Sequence, residues 1–147
     1  MQILPSAVLF CCSMNEIRSA MAEGIMKQFH GWQVFVDSVG VRQGGLDPLM
    51  VEVMREIGVD MARHWPKTFD NLTDDSFDMA IALSSEAQVS AAELTRYVHC
   101  ELRLWNITDP SLSEGSRDAR LAAYRQARDQ IQQRILDLFP RLHSRDI

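Results

Sequence analysis

Apolar positions follow two rhythms along this chain, a strand rhythm and a helix rhythm. Ala7 to Cys11 (Ala-Val-Leu-Phe-Cys) is a short unbroken run of strand formers, the pattern of a strand covered on both faces. From Ser19 to His30 the apolar residues Met21, Ile25, Met26 and Phe29 fall at helical spacing, and Gly31 ends that helix. Gln33 to Val39 reads as a second strand and Gly40 to Gly45 as a loop with three glycines. Asp47-Pro48 has the form of an N-cap and a first-turn proline, opening a helix through Leu49, Val53, Met54 and Ile57 that Gly58 closes. Arg63 to Ser76 is irregular, with room for one short helix. Asp78 to Leu83 predicts a third buried strand, Ser84 to Tyr97 a helix with Val89, Leu94 and Tyr97 on one face, and Val98 to Ile107 a fourth strand. After the Asp109-Pro110 turn, a long helix is expected from Arg117 to Phe139, burying Leu121, Tyr124, Ile131, Ile135 and Leu138, with Pro140 as its stop.

Four strands alternating with four helices predict a single α/β domain over residues 1–147. Its three layers are a four-stranded parallel sheet, expected in the order 2-1-3-4, with helices on both faces. Right-handed crossovers and one reversal of strand order place a crevice at the carboxyl ends of the strands. The turns after Cys12, Val39, Leu83 and Ile107 would meet there.

Composition narrows the field of functions. The 147 residues are 46% hydrophobic and 24% charged, which excludes disordered and low-complexity classes. A formal charge of −5 has the wrong sign for a chain whose main partner is a nucleic-acid backbone. The Arg-rich last helix (Arg117, Arg120, Arg125, Arg128, Arg134) alternates with Asp118, Asp129 and Asp137 and so reads as an exposed ion-paired face. No apolar run is long enough for a membrane span, and Met1 to Cys12 has neither a basic start nor a cleavable site, so a cytoplasmic location without membrane contact is expected; the sequence leaves the oligomeric state open, with a monomer favoured. Three cysteines, two of them adjacent, make no secreted disulfide framework. Four His and three Cys never take zinc spacing, so no metal and no cofactor are expected. His30, His99 and His143 read as surface or helix-end residues, and Arg63 and Lys67 as a solvated face beside His64.

Chemistry concentrates in the first strand-to-helix turn. Cys12-Ser13-Met14-Asn15-Glu16-Ile17-Arg18-Ser19 sits where loop N–H groups and the positive end of a helix dipole converge, a cradle for a tetrahedral oxyanion. The same field favours a thiolate, which makes Cys12 a nucleophile. Arg18 can grip two oxygens of the anion with its planar fork. Ser19 can donate to the sulfur, and Asn15 tolerates the left-handed backbone that a tight loop needs. A cysteine ending a buried strand is ordinarily a core residue. Its spacing argues otherwise, since one accidental Cys-x5-Arg-[Ser/Thr] match is expected in only roughly 3% of chains of this composition. A leaving oxygen needs a proton, and Asp109, at the end of the fourth strand, opens into the same crevice and is the candidate general acid.

These residues resemble the low-molecular-weight protein tyrosine phosphatases and the arsenate reductases that share their fold. The resemblance rests on Val8 through Ser19, Met21-Ala22-Glu23, Val36-Asp37-Ser38, Gly58-Val59-Asp60 with His64, and Asp109-Pro110, in family order along the whole chain. It implies Cys12 as nucleophile, Arg18 as the phosphate-binding and transition-state residue, and Asp109 as general acid and then base. Residues Ser13, Met14, Asn15, Glu16, Ile17 and Arg18 would surround the phosphate, with Asn15, Ser19, Ser38 and His64 as a hydrogen-bonded shell. The chain departs from the family where Met14 replaces a usual glycine, Ile17 an often-present second cysteine, and Glu16 a seldom acidic position. Glu16 near the mouth would repel very acidic substrates, and Gln43-Gly44-Gly45 and Ser111-Leu112-Ser113 stand where eukaryotic members place aromatics. The expected activity is phosphomonoester hydrolysis through a cysteinyl-phosphate, on a phosphorylated protein or a small phosphomonoester. The alternatives are arsenate reduction by the same nucleophile, or a catalytically weak module that binds phosphate or arsenate. Thioredoxin-coupled reductases need two further cysteines after the third strand, and Ser84 to Arg96 contains none.

Overall fold

The computed structural model describes residues 4–73, 76–96 and 98–141. Four parallel strands, β1 (Ala7–Cys12), β2 (Phe35–Gly40), β3 (Met79–Ala82) and β4 (Glu101–Leu104), form one sheet in the order β2-β1-β3-β4. Four helices, α1 (Arg18–His30), α2 (Pro48–Arg55), α3 (Ser85–Thr95) and α4 (Arg117–Leu138), connect or follow the strands. The expected strand order, parallel pairing and two-sided helical cover are all present.

The central strand explains the layering. All six residues of β1 are buried, and their side chains alternate between two cores. Val8, Phe10 and Cys12 join the larger core with Met21 and Ile25 of α1, Met50 and Met54 of α2, and Tyr124 and Ile131 of α4. Ala7, Leu9 and Cys11 face the smaller one, closed by Ala87 and Ala91 of α3. Cys11 is thus strand core, and burial pushes its thiol strongly upward, away from ionisation.

Several local expectations need correction. Helix α3 packs through Ala87 and Ala91, four residues apart, with Leu94 partly buried, whereas Val89 points to solvent with 69% of its surface exposed. Small residues let this short helix sit close to the sheet, and that seam outweighs the larger Val89. Tyr97 lies outside the described residues, as does His143. His30 ends α1 as expected but is buried at 2% exposure, its Nε2 2.8 Å from the Phe139 carbonyl. The fourth strand keeps only Glu101–Leu104 of its predicted length, because pairing with the four-residue β3 limits its ladder.

The arginines of α4 reach across to α2 more than along their own helix. Arg117 pairs with Glu52, and Arg125 with Glu56 at 2.8 Å. Arg128 is buried: its Nη1 donates to the Val53 carbonyl and to Glu56, both at 2.8 Å, while its Nε meets Asp129. The face therefore clamps two helices together. Lys67 likewise has a specific partner, Asp37 of β2. Among the described residues, no helix is long and apolar enough to cross a membrane.

Candidate active site

Helix α1 begins without a side-chain cap, directly after the loop that leaves β1 at Cys12. Its first N–H groups and its dipole are left facing the loop's interior. The residue before the helix, Ile17, is buried in the larger core and anchors the loop's far end. Asn15 is the one non-glycine with positive φ (56°) among the described residues, so the left-handed kink falls where an Asn tolerates it. Met14 takes no such conformation, and the usual glycine is not required there.

The carbonyl side of the loop is satisfied by a strap of residues 41–45. Val41, Arg42 and Gly44 donate their N–H groups to the carbonyls of Cys12, Ser13 and Met14 at 3.1, 2.8 and 2.8 Å. The Glu16 carboxylate accepts from Gly45 N at 3.0 Å, so this acid is engaged in holding the strap. Gly40 permits the approach: a Cβ there would lie 2.6 Å from the Asn15 nitrogen and the Met14 carbonyl carbon. The sequence predicts a glycine loop over Gly40 to Gly45 but not its contact with the β1–α1 loop. Only the β1–β2 pairing of Cys12 with Gly40 shows which loop it must touch.

Cys12 closes the floor at 2% exposure, with its sulfur turned to α1. Ser19 Oγ is 2.9 Å from Sγ, and the Ser19 N–H donates to it at 3.4 Å. Proton bookkeeping orients the hydroxyl. Asn15 Nδ2 donates to Ser19 Oγ at 2.8 Å and to Ser38 Oγ at 2.9 Å, and Ser38 in turn donates to Glu23. Ser19 Oγ already accepts from Asn15, so its own hydrogen is free for the sulfur, whereas the competing Val39 carbonyl is 3.5 Å away. Both donors can follow negative charge as it develops on the sulfur during a reaction.

Asn15 is itself held from outside. Lys67 N donates to its Oδ1 at 3.0 Å, and His64 Nε2 lies 2.7 Å from its carbonyl, which requires a protonated Nε2. The structure thus brings together Cys12, Asn15, Ser19, Ser38 and His64. It adds Glu23 as the acceptor that ends the chain, a residue whose part the sequence alone did not reveal.

Arg18 reaches across the end of the sheet. Its Nη1 donates to the carbonyls of Leu83 and Ile107 at 3.2 and 3.0 Å, and its Nη2 stands 3.8 Å from Asp109 Oδ2. Asp109 caps the 3₁₀ turn Pro110–Leu112. Together with Ser84, Ser85, Asn106 and Leu112 these two residues line a cleft. Ser13 Oγ donates to Ser84 Oγ at 3.2 Å and ties the cradle to the start of α3. Two carbonyl acceptors thus fix the Arg18 guanidinium at the cleft, with Nη2 toward Asp109. Among the described residues, no three His, Cys, Asp or Glu side chains stand together as a metal site.

Known proteins are similar to this chain in sequence and in fold. The family model of the low molecular weight phosphotyrosine protein phosphatases matches residues 7–146. An arsenate reductase of Bacillus subtilis is 30% identical over 130 residues, covering 87% of this chain and 91% of its own. A solved arsenate reductase in its phosphate-binding state superposes with a TM-score of 0.75 at 25% identity, over 90% of this chain and 95% of its own. In fold alone, the tyrosine phosphatase AmsI of Erwinia amylovora is similar too, at TM-score 0.71 and 22% identity over 92% of this chain and 95% of its own. The chain belongs to the low molecular weight phosphotyrosine protein phosphatase family.

Proposed function

We propose that this protein hydrolyses phosphomonoesters through a cysteinyl-phosphate formed on Cys12, with residues 1–147 acting as one phosphatase domain. The observation that carries this reading is the Ser19 pair of donors on the Cys12 sulfur at an uncapped helix start, whose first residue, Arg18, stands 3.8 Å from Asp109. The Cys12 thiolate attacks phosphorus in line, an S–P bond forms as the P–O bond breaks, and Asp109 gives its proton to the leaving oxygen. Asp109 then takes a proton from water, whose oxygen attacks phosphorus and returns the thiolate. The loop N–H groups of residues 13–18 and the Arg18 fork hold the equatorial oxygens throughout. Substrates are phosphorylated proteins or small phosphomonoesters.

Turnover of p-nitrophenyl phosphate by the intact chain tests this reading, with Cys12→Ser inactive and a covalent phosphorus adduct trapped on Cys12 in Asp109→Asn. Phosphate binding without an adduct would instead mark a binding module, and retained turnover in Cys12→Ser would remove Cys12 as nucleophile.

A second reading has its own support in the arsenate reductase relative. Arsenate is also a tetrahedral oxyanion, and the first attack would be the same. Cys11 faces the opposite core and Cys100 precedes the edge strand β4, so neither is placed to resolve an adduct on Cys12. An arsenate reaction here would need an external thiol as reductant, which paired assays with and without a small thiol distinguish.

A further inference from the structure

Asp109 is held by its neighbour two residues on. Ser111 donates twice to the same carboxylate oxygen, from its backbone N–H at 2.9 Å and from its hydroxyl at 2.7 Å, both to Oδ1. The other oxygen, Oδ2, is the one that faces Arg18. A proton on Oδ1 would face the fixed Ser111 N–H and force the hydroxyl to give up its donated bond, so the acid form carries it on Oδ2, toward the cleft. Pro110, buried as the first residue of the turn, fixes the backbone between the two residues.

We propose that Ser111 is a positioning residue that presents Asp109 Oδ2 to the leaving oxygen and thereby extends hydrolysis to esters of more basic leaving groups. The inference rests on the hydrolase reading above. As the P–O bond breaks, the Oδ2 proton passes to the departing oxygen, and Oδ2 regains one from water in the second step. A nitrophenolate departs without much help, whereas a phenolate like that of tyrosine, with a conjugate acid near about 10, depends on proton delivery. Loss of the hydroxyl leaves only the N–H bond, and the carboxyl group can then rotate its proton away from the cleft.

The test is a comparison of kcat/KM for phenyl phosphate and p-nitrophenyl phosphate in the full chain. Ser111 is exposed, so Ser111→Ala leaves the core untouched. The expected result is a fall with phenyl phosphate at least about tenfold greater than with p-nitrophenyl phosphate, a fraction of what general acids contribute. Ser111→Thr should restore the ratio. In an Asp109→Asn background, Ser111→Ala should change neither substrate further. An unchanged ratio in Ser111→Ala, no rescue by Thr, or an equal added loss in the Asp109→Asn background would overturn the proposal. A wild-type protein that turned over neither ester would instead overturn the hydrolase reading on which it stands.

Discussion

Ser19 touches the Cys12 sulfur with two donors from one residue, its hydroxyl at 2.9 Å and its N–H at 3.4 Å. Both strengthen as negative charge settles on sulfur, and the second is a backbone helix N–H that an alanine at this position keeps. Ser19→Ala therefore deletes one charge-assisted bond of two. A hydrogen bond to a charged group contributes about 1.5–3 kcal/mol, so kcat should fall roughly 10- to 150-fold with the fold intact. Steady-state kinetics and the rate of Cys12 alkylation near neutral pH check it together. Alkylation as fast as wild type would remove Ser19 from the thiolate's support.

Asn15 combines a backbone role with a side-chain role, and two variants separate them. Its φ of 56° suits Asn or Gly, while its Nδ2 joins Ser19 to Ser38. Asn15→Ala adds left-handed strain of about 1–2 kcal/mol to the lost hydrogen bonds, whereas Asn15→Gly relieves the strain and loses the bonds alone. Gly should be the more stable variant in urea unfolding, yet kcat should drop similarly in both, because each frees the Ser19 hydroxyl from its orientation. A Gly variant with wild-type kcat would contradict the proton ordering drawn from Glu23 to Cys12.

Much of this was legible in the sequence because it depends on periodicity and on spacing within one turn. The unbroken Ala7 to Cys11 run, the Asp47-Pro48 cap and the Cys12 to Arg18 interval each encode a local geometry, and each stands where it was expected. Pairings between distant segments were harder to read. That Glu16 holds Gly45, that Glu23 ends the Asn15 network and that Arg128 clamps α2 all follow from which elements become neighbours, and residue types alone do not encode that. Val89 misled for a related reason: a large apolar residue outweighs two alanines in any pattern count, yet the alanines allow close packing on the sheet.

Glu56 gives a pH-dependent measure of the α2–α4 clamp. Hydrogen bonds from Arg125 first and Arg128 second lower its carboxyl to about 2, from an ordinary 4.5. A depressed folded-state value means that this group's stabilisation is complete above about 4.5 and is lost as pH falls toward 2. The difference in unfolding free energy between wild type and Glu56→Gln should be largest near neutral pH and shrink across that window. Urea titrations at pH 6, 4.5 and 3 read it directly. A difference independent of pH would mean that the arginines are held by shape and not by the carboxylate.

Oxidation should distinguish the three thiols, because β1 turns adjacent cysteines to opposite cores. Peroxide converts the Cys12 thiolate to a sulfenic acid, and rescue by an internal disulfide would need a second sulfur on the same face. Cys11 sits in the smaller core with Sγ 3.7 Å from the Ile81 carbonyl, and burial keeps its thiol protonated. Cys100 precedes β4 on the far side of β3 from β1. Peroxide should therefore inactivate wild type, Cys11→Ser and Cys100→Ser at the same rate, with intact mass rising by added oxygen and no loss of two hydrogens. Early reactivation should need an external thiol, and longer exposure should carry Cys12 to the sulfinic acid and end recovery. Slower reactivation or faster irreversible loss in Cys11→Ser would show that β1 opens far enough for its two sulfurs to meet, against the packing described above.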